Sequence, residues 1–194
     1  MNIDAKFEKI SKYADDNDII VPFRKTSASA GYDFYCAEDT VIPSYQTLTM
    51  GDAMCRIVAD EYQTPEAFEN AEPITLDAAA ARVKQAGAKV TLVPTGIKCR
   101  IPDDYYLQLS VRSSLPLKHW LILGNSVGII DADYYNNPDN EGHIYFQIIN
   151  LLPFDVVIKK GECFGQGILI PYATTEDDNG TDAVRSGGFG STNE

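Results

Sequence analysis

Short apolar segments, cut apart by turn residues at close and fairly regular spacing, constrain this chain more than any other feature. GYDFYCA (31–37), TLVPTGIKCRIP (91–102), YYLQLSV (105–111), WLILG (120–124), HIYFQIINLL (143–152), DVVIKKGE (155–162) and GQGILIPYA (165–173) are rich in β-branched and aromatic residues. Glycine, proline, asparagine and aspartate separate them, the residues that supply turn conformations and local side-chain hydrogen bonds. Strands that follow one another without intervening helices favour an antiparallel sandwich or barrel over a βαβ protein. The expectation is an all-β fold.

Residues 51–90 break that rhythm. Thr64 reads as an N-cap with Pro65 at the first helical position, where a missing N–H costs nothing. TLDAAAARVKQAG follows, with Leu76, Ala79, Ala80 and Val83 on one face and Gly87 as a stop. We read 51–90 as a helical insertion into a single domain spanning 1–194, too short for a core of its own. From Thr174 to Glu194 the chain is polar and glycine-rich and reads as a flexible C-terminal arm.

A formal net charge of −12, from 28 acidic against 16 basic residues, argues against nucleic acid as a partner. An anionic ligand would need a few placed cations, backbone amides or a metal ion. Cys36, Cys55, Cys99 and Cys163 show no CxxC pairing, and with two histidines in the chain a zinc site is not expected. The cysteines read as reduced core or strand residues. No apolar run is long enough to span a membrane, so a cytoplasmic, soluble protein is expected.

Four segments carry candidate chemistry. VRSSLP (111–116) ends an apolar strand with an arginine fork and two hydroxyls, a set that suits phosphate oxygens; alone, such a run is more often a surface arginine beside a turn. In GNSVGIIDADYY (124–135) the Asn125 amide can donate and accept at once, Gly128 lets backbone approach a ligand, and Asp131 could orient a water or simply end a strand in an Asx-type turn. GECFGQG (161–167) resembles a hairpin turn, with Gln166 facing either a phosphate or strand backbone. RSGGFGST (185–192) is a basic, glycine-rich loop whose amides could wrap a polyphosphate, with Phe189 free to stack on a base.

Taken in this order, together with SAGYDFYCAED (29–39), VIPS (41–44) and LVPTGIKCRIP (92–102), these segments closely resemble the trimeric deoxyuridine triphosphate nucleotidohydrolases, the dUTPases. The steps of 13 residues from Arg112 to Asn125 and six from Asn125 to Asp131 match that family's spacing, and the resemblance covers nearly all of the chain outside 51–90.

The resemblance implies a jelly-roll-like subunit in a homotrimer with active sites shared between subunits. It also implies Mg²⁺-assisted hydrolysis of dUTP to dUMP and pyrophosphate, with Asp131 as the general base. Asn125, with Gly128 and the backbone of Ile129, Ile130 and Asp131, would read uracil, and Tyr134 would stack on deoxyribose and exclude a 2′-hydroxyl. Arg112, Ser113, Ser114 and Gln166 would meet the phosphates. Arg185, Phe189, Gly190 and Ser191 would close over the nucleotide. Asp33 would support the metal indirectly, through water, the ion being held mainly by substrate phosphates.

The chain departs from the family pattern at several points. Arg185 stands one residue nearer Phe189 than in many relatives, Ser114 and Trp120 replace common glycines, and the turn after Tyr134 is lengthened to YYNNPDNEG. The 51–90 insertion has no counterpart in the minimal pattern and could bind a partner protein. Two alternatives remain. A dCTP deaminase, or a bifunctional deaminase and dUTPase, of the same superfold needs a proton-shuttling glutamate where Gln147 stands. A nucleotide-sensing regulatory protein would use the insertion as its binding surface.

Overall fold

The computed structural model describes residues 3–49 and 51–178 together with Gly188. Its strands are β1 (Lys6–Lys9), β2 (Tyr32–Tyr35), β3 (Thr40–Ile42), β4 (Thr91–Pro94), β5 (Ile97–Arg100), β6 (Tyr105–Val111), β7 (Leu121–Leu123), β8 (Gly128–Ile130), β9 (Tyr145–Asn150), β10 (Val156–Ile158) and β11 (Cys163–Pro171). Every pairing among them is antiparallel. A four-stranded sheet runs β2–β11–β6–β8 and a three-stranded sheet runs β4–β9–β7, with the pairs β1–β5 and β3–β10 beside them. This is an all-β, jelly-roll-like sandwich.

Period-two alternation builds the core. Leu107 and Leu109 of β6 and Phe146 and Ile148 of β9 are buried, and their neighbours are less so. The rings of Phe34, Phe146 and Phe164, from β2, β9 and β11, meet between the sheets at centroid distances of 5.5 Å (Phe34–Phe146) and 5.0 Å (Phe146–Phe164). Their fit depends on the glycines of GECFGQG. A Cβ on Gly165 would lie 2.5 Å from the Phe146 ring, and one on Gly167 would lie 2.8 Å from the Phe34 ring. Those two glycines are therefore packing residues, whatever else the segment does. Among the described residues the one fully buried asparagine, Asn150, is satisfied: its amide donates to Ile42 O and Phe154 O and accepts from Leu152 N.

The helical excursion begins earlier than residue 51. It comprises α1 (Tyr45–Thr49), α2 (Asp52–Tyr62), α3 (Pro65–Glu69) and α4 (Leu76–Gln85). Thr64 and Thr75 cap α3 and α4 by accepting from Ala67 N and Ala78 N, and Gly87 ends α4's run at φ 65°. The face expected on α4 packs only at Ala79; Ala80 is exposed. Leu76 is 89% exposed and Val83 is exposed too, while Ala78, Ala79 and Arg82 turn inward. Arg82 Nε donates to Glu61 Oε2 of α2 at 2.7 Å. That pair links α4 to α2 on an exposed face, and no residue of α4 is fully buried, so the helix offers no apolar stripe for the hydrophobic period to find.

A further helix, α5 (Ser114–His119), follows β6 and is capped by Trp120 in the left-handed region, φ 52° and ψ 29°. A side chain at such φ costs about 1–2 kcal/mol, a cost that a glycine would avoid. Ser114, at the start of α5, needs no such backbone. Among the described residues no helix is long and apolar enough to cross a membrane. The four cysteines are free, and burial pushes the Cys99 thiol up to about 12.

Candidate active site

The crevice opens where the chain leaves one sheet for the other. β7 belongs to the three-stranded sheet and β8 to the four-stranded one, and residues 124–127 make the crossing. Ser126 takes φ 61° and Val127 N donates to Asn125 O at 2.6 Å, so a tight turn throws the Asn125 side chain outward. Gly128 then slides under β6, so close that a Cβ would stand 3.0 Å from Leu109 Cβ.

The resulting cavity of about 320 Å³ is lined by Asn125, Gly128, Ile129, Ile130 and Tyr134, all of them expected site residues, together with Leu109, Leu123, Val127, Tyr145, Gln147 and Gly188. It is within the usual range for small-ligand sites. Tyr145 and Gln147 were legible in principle. They alternate with buried Phe146 on β9, so both had to face away from the Phe146 side of the sheet.

Tyr134 is buried and its hydroxyl is held from two sides, donating to His143 O at 3.0 Å and accepting from Asn140 Nδ2 at 2.8 Å. The long loop after Tyr134 is thus part of the site. His143 is buried as well: its Nε2 accepts from Gly96 N at 2.9 Å, and its ring lies 4.0 Å from that of Tyr145. Burial, with Lys12 nearby, pushes its pKa down from 6.5 to about 4, so it is neutral.

Asp131 leaves β8 in extended conformation (φ −81°, ψ 160°) and opens the 3₁₀ turn Ala132–Tyr134, to which its side chain gives no capping bond. With Asp103, Asp133 and Tyr172 it borders a shallow depression. In the β6–β8 register Leu107 faces Ile130, and one further step puts Asp131 level with Tyr106. Arg112 lies at the far end of the same strand. Six residues of strand, at about 3.3 Å each, separate the two levels by roughly 20 Å within one subunit.

At that far end Arg112 N donates to Phe164 O at 3.0 Å, and the guanidinium Nε stands 3.9 Å from Asp33 Oδ1. Ser113 is the N-cap of α5 and is exposed, and Ser114 begins the helix half-buried. Gln166 pairs with Asp33 on one side and Ser110 on the other. Its side chain lies over Gly31, where a Cβ would stand 2.7 Å from Oε1. Arg112, Asp33 and Gln166 therefore gather at one end of the β2–β11–β6 sheet. Arg185, Phe189, Gly190 and Ser191 lie outside the described residues; of that segment, Gly188 touches the crevice, and a Cβ on it would lie 2.8 Å from Tyr134 Cε2.

Among the described residues no group of three His, Cys, Asp or Glu side chains could hold a metal ion. The single Asp33 carboxylate beside a cation fits a divalent ion carried mainly by a bound anion, not a protein cage.

The family model for dUTPase matches residues 76–193. A deoxyuridine 5′-triphosphate nucleotidohydrolase from Lactococcus lactis subsp. lactis is 36% identical over 187 residues, covering 96% of this chain and 95% of that protein. The dUTPase of Streptococcus mutans is 34% identical with a TM-score of 0.62, covering 88% of this chain and 98% of that one. A mutant dUTPase from phage phi11 of S. aureus, described with a structural Mg(II) ion, shares the fold at 16% identity and a TM-score of 0.55, covering 92% of this chain and 97% of that one. Near full-length identity of this order, on a sandwich whose crevice gathers Asn125, Gly128, Ile129, Ile130 and Tyr134 of the GNSVGIIDADYY segment, leaves one conclusion: the chain belongs to the dUTPase family.

Proposed function

We propose that this protein hydrolyses dUTP to dUMP and pyrophosphate by in-line attack of water on the α-phosphorus. The observation that carries the reading is the cavity that gathers Asn125, Gly128, Ile129, Ile130 and Tyr134 immediately before and after Asp131. The Asn125 amide offers a donor and an acceptor to the mixed edge of uracil. The Tyr134 ring offers a flat apolar wall to the sugar.

Asp131 takes a proton from the attacking water as the oxygen bonds to phosphorus, and pyrophosphate departs on the opposite side. Arg112, Ser113, Ser114 and Gln166 bind phosphate oxygens, with Asp33 steadying Arg112. A bound Mg²⁺ ion would supply further charge neutralisation, with Asp33 as its nearest carboxylate support. Within one subunit the levels of Asp131 and Arg112 are about 20 Å apart along the strand. That separation supports a homotrimer in which one subunit supplies the crevice and another the Arg112 end, with Arg185, Phe189, Gly190 and Ser191 closing over the nucleotide.

Deamination of dCTP fits less well. The cavity presents Gln147, and an amide cannot shuttle the proton that the reaction needs.

The test is to incubate the purified protein with dUTP, dCTP and UTP, with and without Mg²⁺, and to separate the products. Release of dUMP and pyrophosphate from dUTP, with slow turnover of UTP, is the expected result. Uracil nucleotide formed from dCTP, or no dUMP from dUTP, would overturn the reading.

A further inference from the structure

We infer that Asn140 is a positioning residue that locks Tyr134 through its hydroxyl, and that this lock sharpens discrimination between deoxyribo- and ribonucleoside triphosphates. The inference rests on the proposed hydrolase function. It gives a role to the lengthened loop, where the chain departs most from the family pattern near the site.

The polarity of the lock is determined by elimination. His143 O can only accept, so the single Tyr134 proton is committed to it at 3.0 Å. The Tyr134 oxygen must then accept from its other partner, Asn140, at 2.8 Å. The Asn140 amide cannot be turned the other way. Its Oδ1 faces two donors, Gly142 N at 3.0 Å and Asn137 Nδ2 at 2.8 Å, and an NH₂ group there would meet only hydrogens. Asn137 is in turn held by Tyr134 O, Asp139 N and Asn140 N and is buried.

The backbone is shaped to allow this. Asn136, Glu141 and Gly142 take φ of 57°, 62° and 80°, and a Cβ on Gly142 would stand 2.6 Å from Tyr134 O. The loop is also tied to the body of the protein: Glu141 accepts from Ser11 Oγ at 2.8 Å, and Lys98 donates to Asn136 at 2.6 Å. The lock therefore has rigid support behind it.

With its hydroxyl spent on His143 and Asn140, Tyr134 shows the crevice a fixed ring. A ribose 2′-hydroxyl pressed against that ring would lose water and gain no partner. If the ring could swing, it would make room for the extra oxygen.

Asn140→Asp tests this with the smallest change. It keeps Oδ1 for Gly142 and Asn137 and turns the donor that faces Tyr134 into a second acceptor, so the single hydroxyl proton can serve only one of its two partners. The kcat/KM values for dUTP and UTP are measured for the wild type, Asn140→Asp, Tyr134→Phe and the double variant, with melting temperatures to show that each is folded. Asn140→Asp is expected to lower the dUTP-to-UTP ratio about five- to tenfold, the scale of one hydrogen bond, through KM more than kcat. In the Tyr134→Phe background the same change should move the ratio by no more than about twofold, the tolerance of independent sites. Asn140→Ala, which removes the amide, should fall at least as far as Asn140→Asp.

A ratio unchanged in both Asn140 variants, or an equal fall with and without the Tyr134 hydroxyl, would overturn the lock. If the wild type releases no dUMP from dUTP, it is the hydrolase reading that fails. Amide exchange over 134–143 then decides the lock: faster exchange in Asn140→Asp supports it, and unchanged exchange sinks it.

Discussion

The Arg112 guanidinium Nε lies 3.9 Å from Asp33 Oδ1, and the other oxygen of that carboxylate, Oδ2, is buried with no hydrogen-bond partner among the described residues. Burying a carboxylate oxygen unpaired is unfavourable, so Asp33 is held there by the sheet, between Phe23 and Gln166 on neighbouring backbone. The Arg112 side chain, 40% exposed, has freedom that Asp33 lacks. The carboxylate is the fixed partner and the guanidinium the steered one.

Asp33→Asn keeps the shape and removes the charge. It should lower kcat/KM for dUTP about tenfold, equivalent to roughly 1.4 kcal/mol of transition-state stabilisation, with little change in melting temperature. Steady-state kinetics unchanged from wild type would detach Asp33 from Arg112's role.

Asp131→Asn should cost about a thousandfold in kcat, the usual scale for losing a general base, while a non-hydrolysable dUTP analogue still binds in calorimetry. Turnover near the wild-type rate would take the base assignment away from Asp131.

Stability should depend on pH through His143. Its pKa is held at about 4 in the folded protein against 6.5 ordinarily, so the unfolded chain binds the proton first as pH falls. The stabilisation is complete above 6.5, declines as pH falls toward 4, and totals about 3 kcal/mol. The urea midpoint should therefore drop across that window in the wild type and flatten in His143→Gln. Parallel profiles would show that His143 is not the titrating group.

Trp120→Gly should raise stability. The backbone there is left-handed and the indole is 58% exposed, so relief of about 1 kcal/mol of strain outweighs the little packing lost. Because Trp120 is the chain's single tryptophan, unfolding is best followed by circular dichroism. A lower urea midpoint would mean that the indole packs against a partner surface.

Much of the fold was legible from local pattern. Alternation alone bounded β6 at Tyr105–Val111, and Thr64 with Pro65 marked the start of α3, because both signals are carried by neighbours in the chain. β1, written KFEK, was not legible, and α2 was legible only as an unbounded part of the 51–90 helical insertion. β1 has one apolar residue and exists through its pairing with β5, and no residue of α2 is buried. The crevice was half legible: the motif order supplied Asn125 to Tyr134, while Tyr145 needed the period of β9.

The sequence by itself determined the β-rich class, the family and the residues around Asp131, since those rest on local alternation and motif spacing. Tertiary structure alone decided that α4 turns Arg82 inward toward Glu61, that Trp120 carries a strained backbone, and that Asn137 and Asn140 hold Tyr134. The physical reason is the same in each case. An asparagine, an arginine or a left-handed φ has no assigned partner until the fold brings one within hydrogen-bond distance, and which partner that is depends on residues far away in the chain.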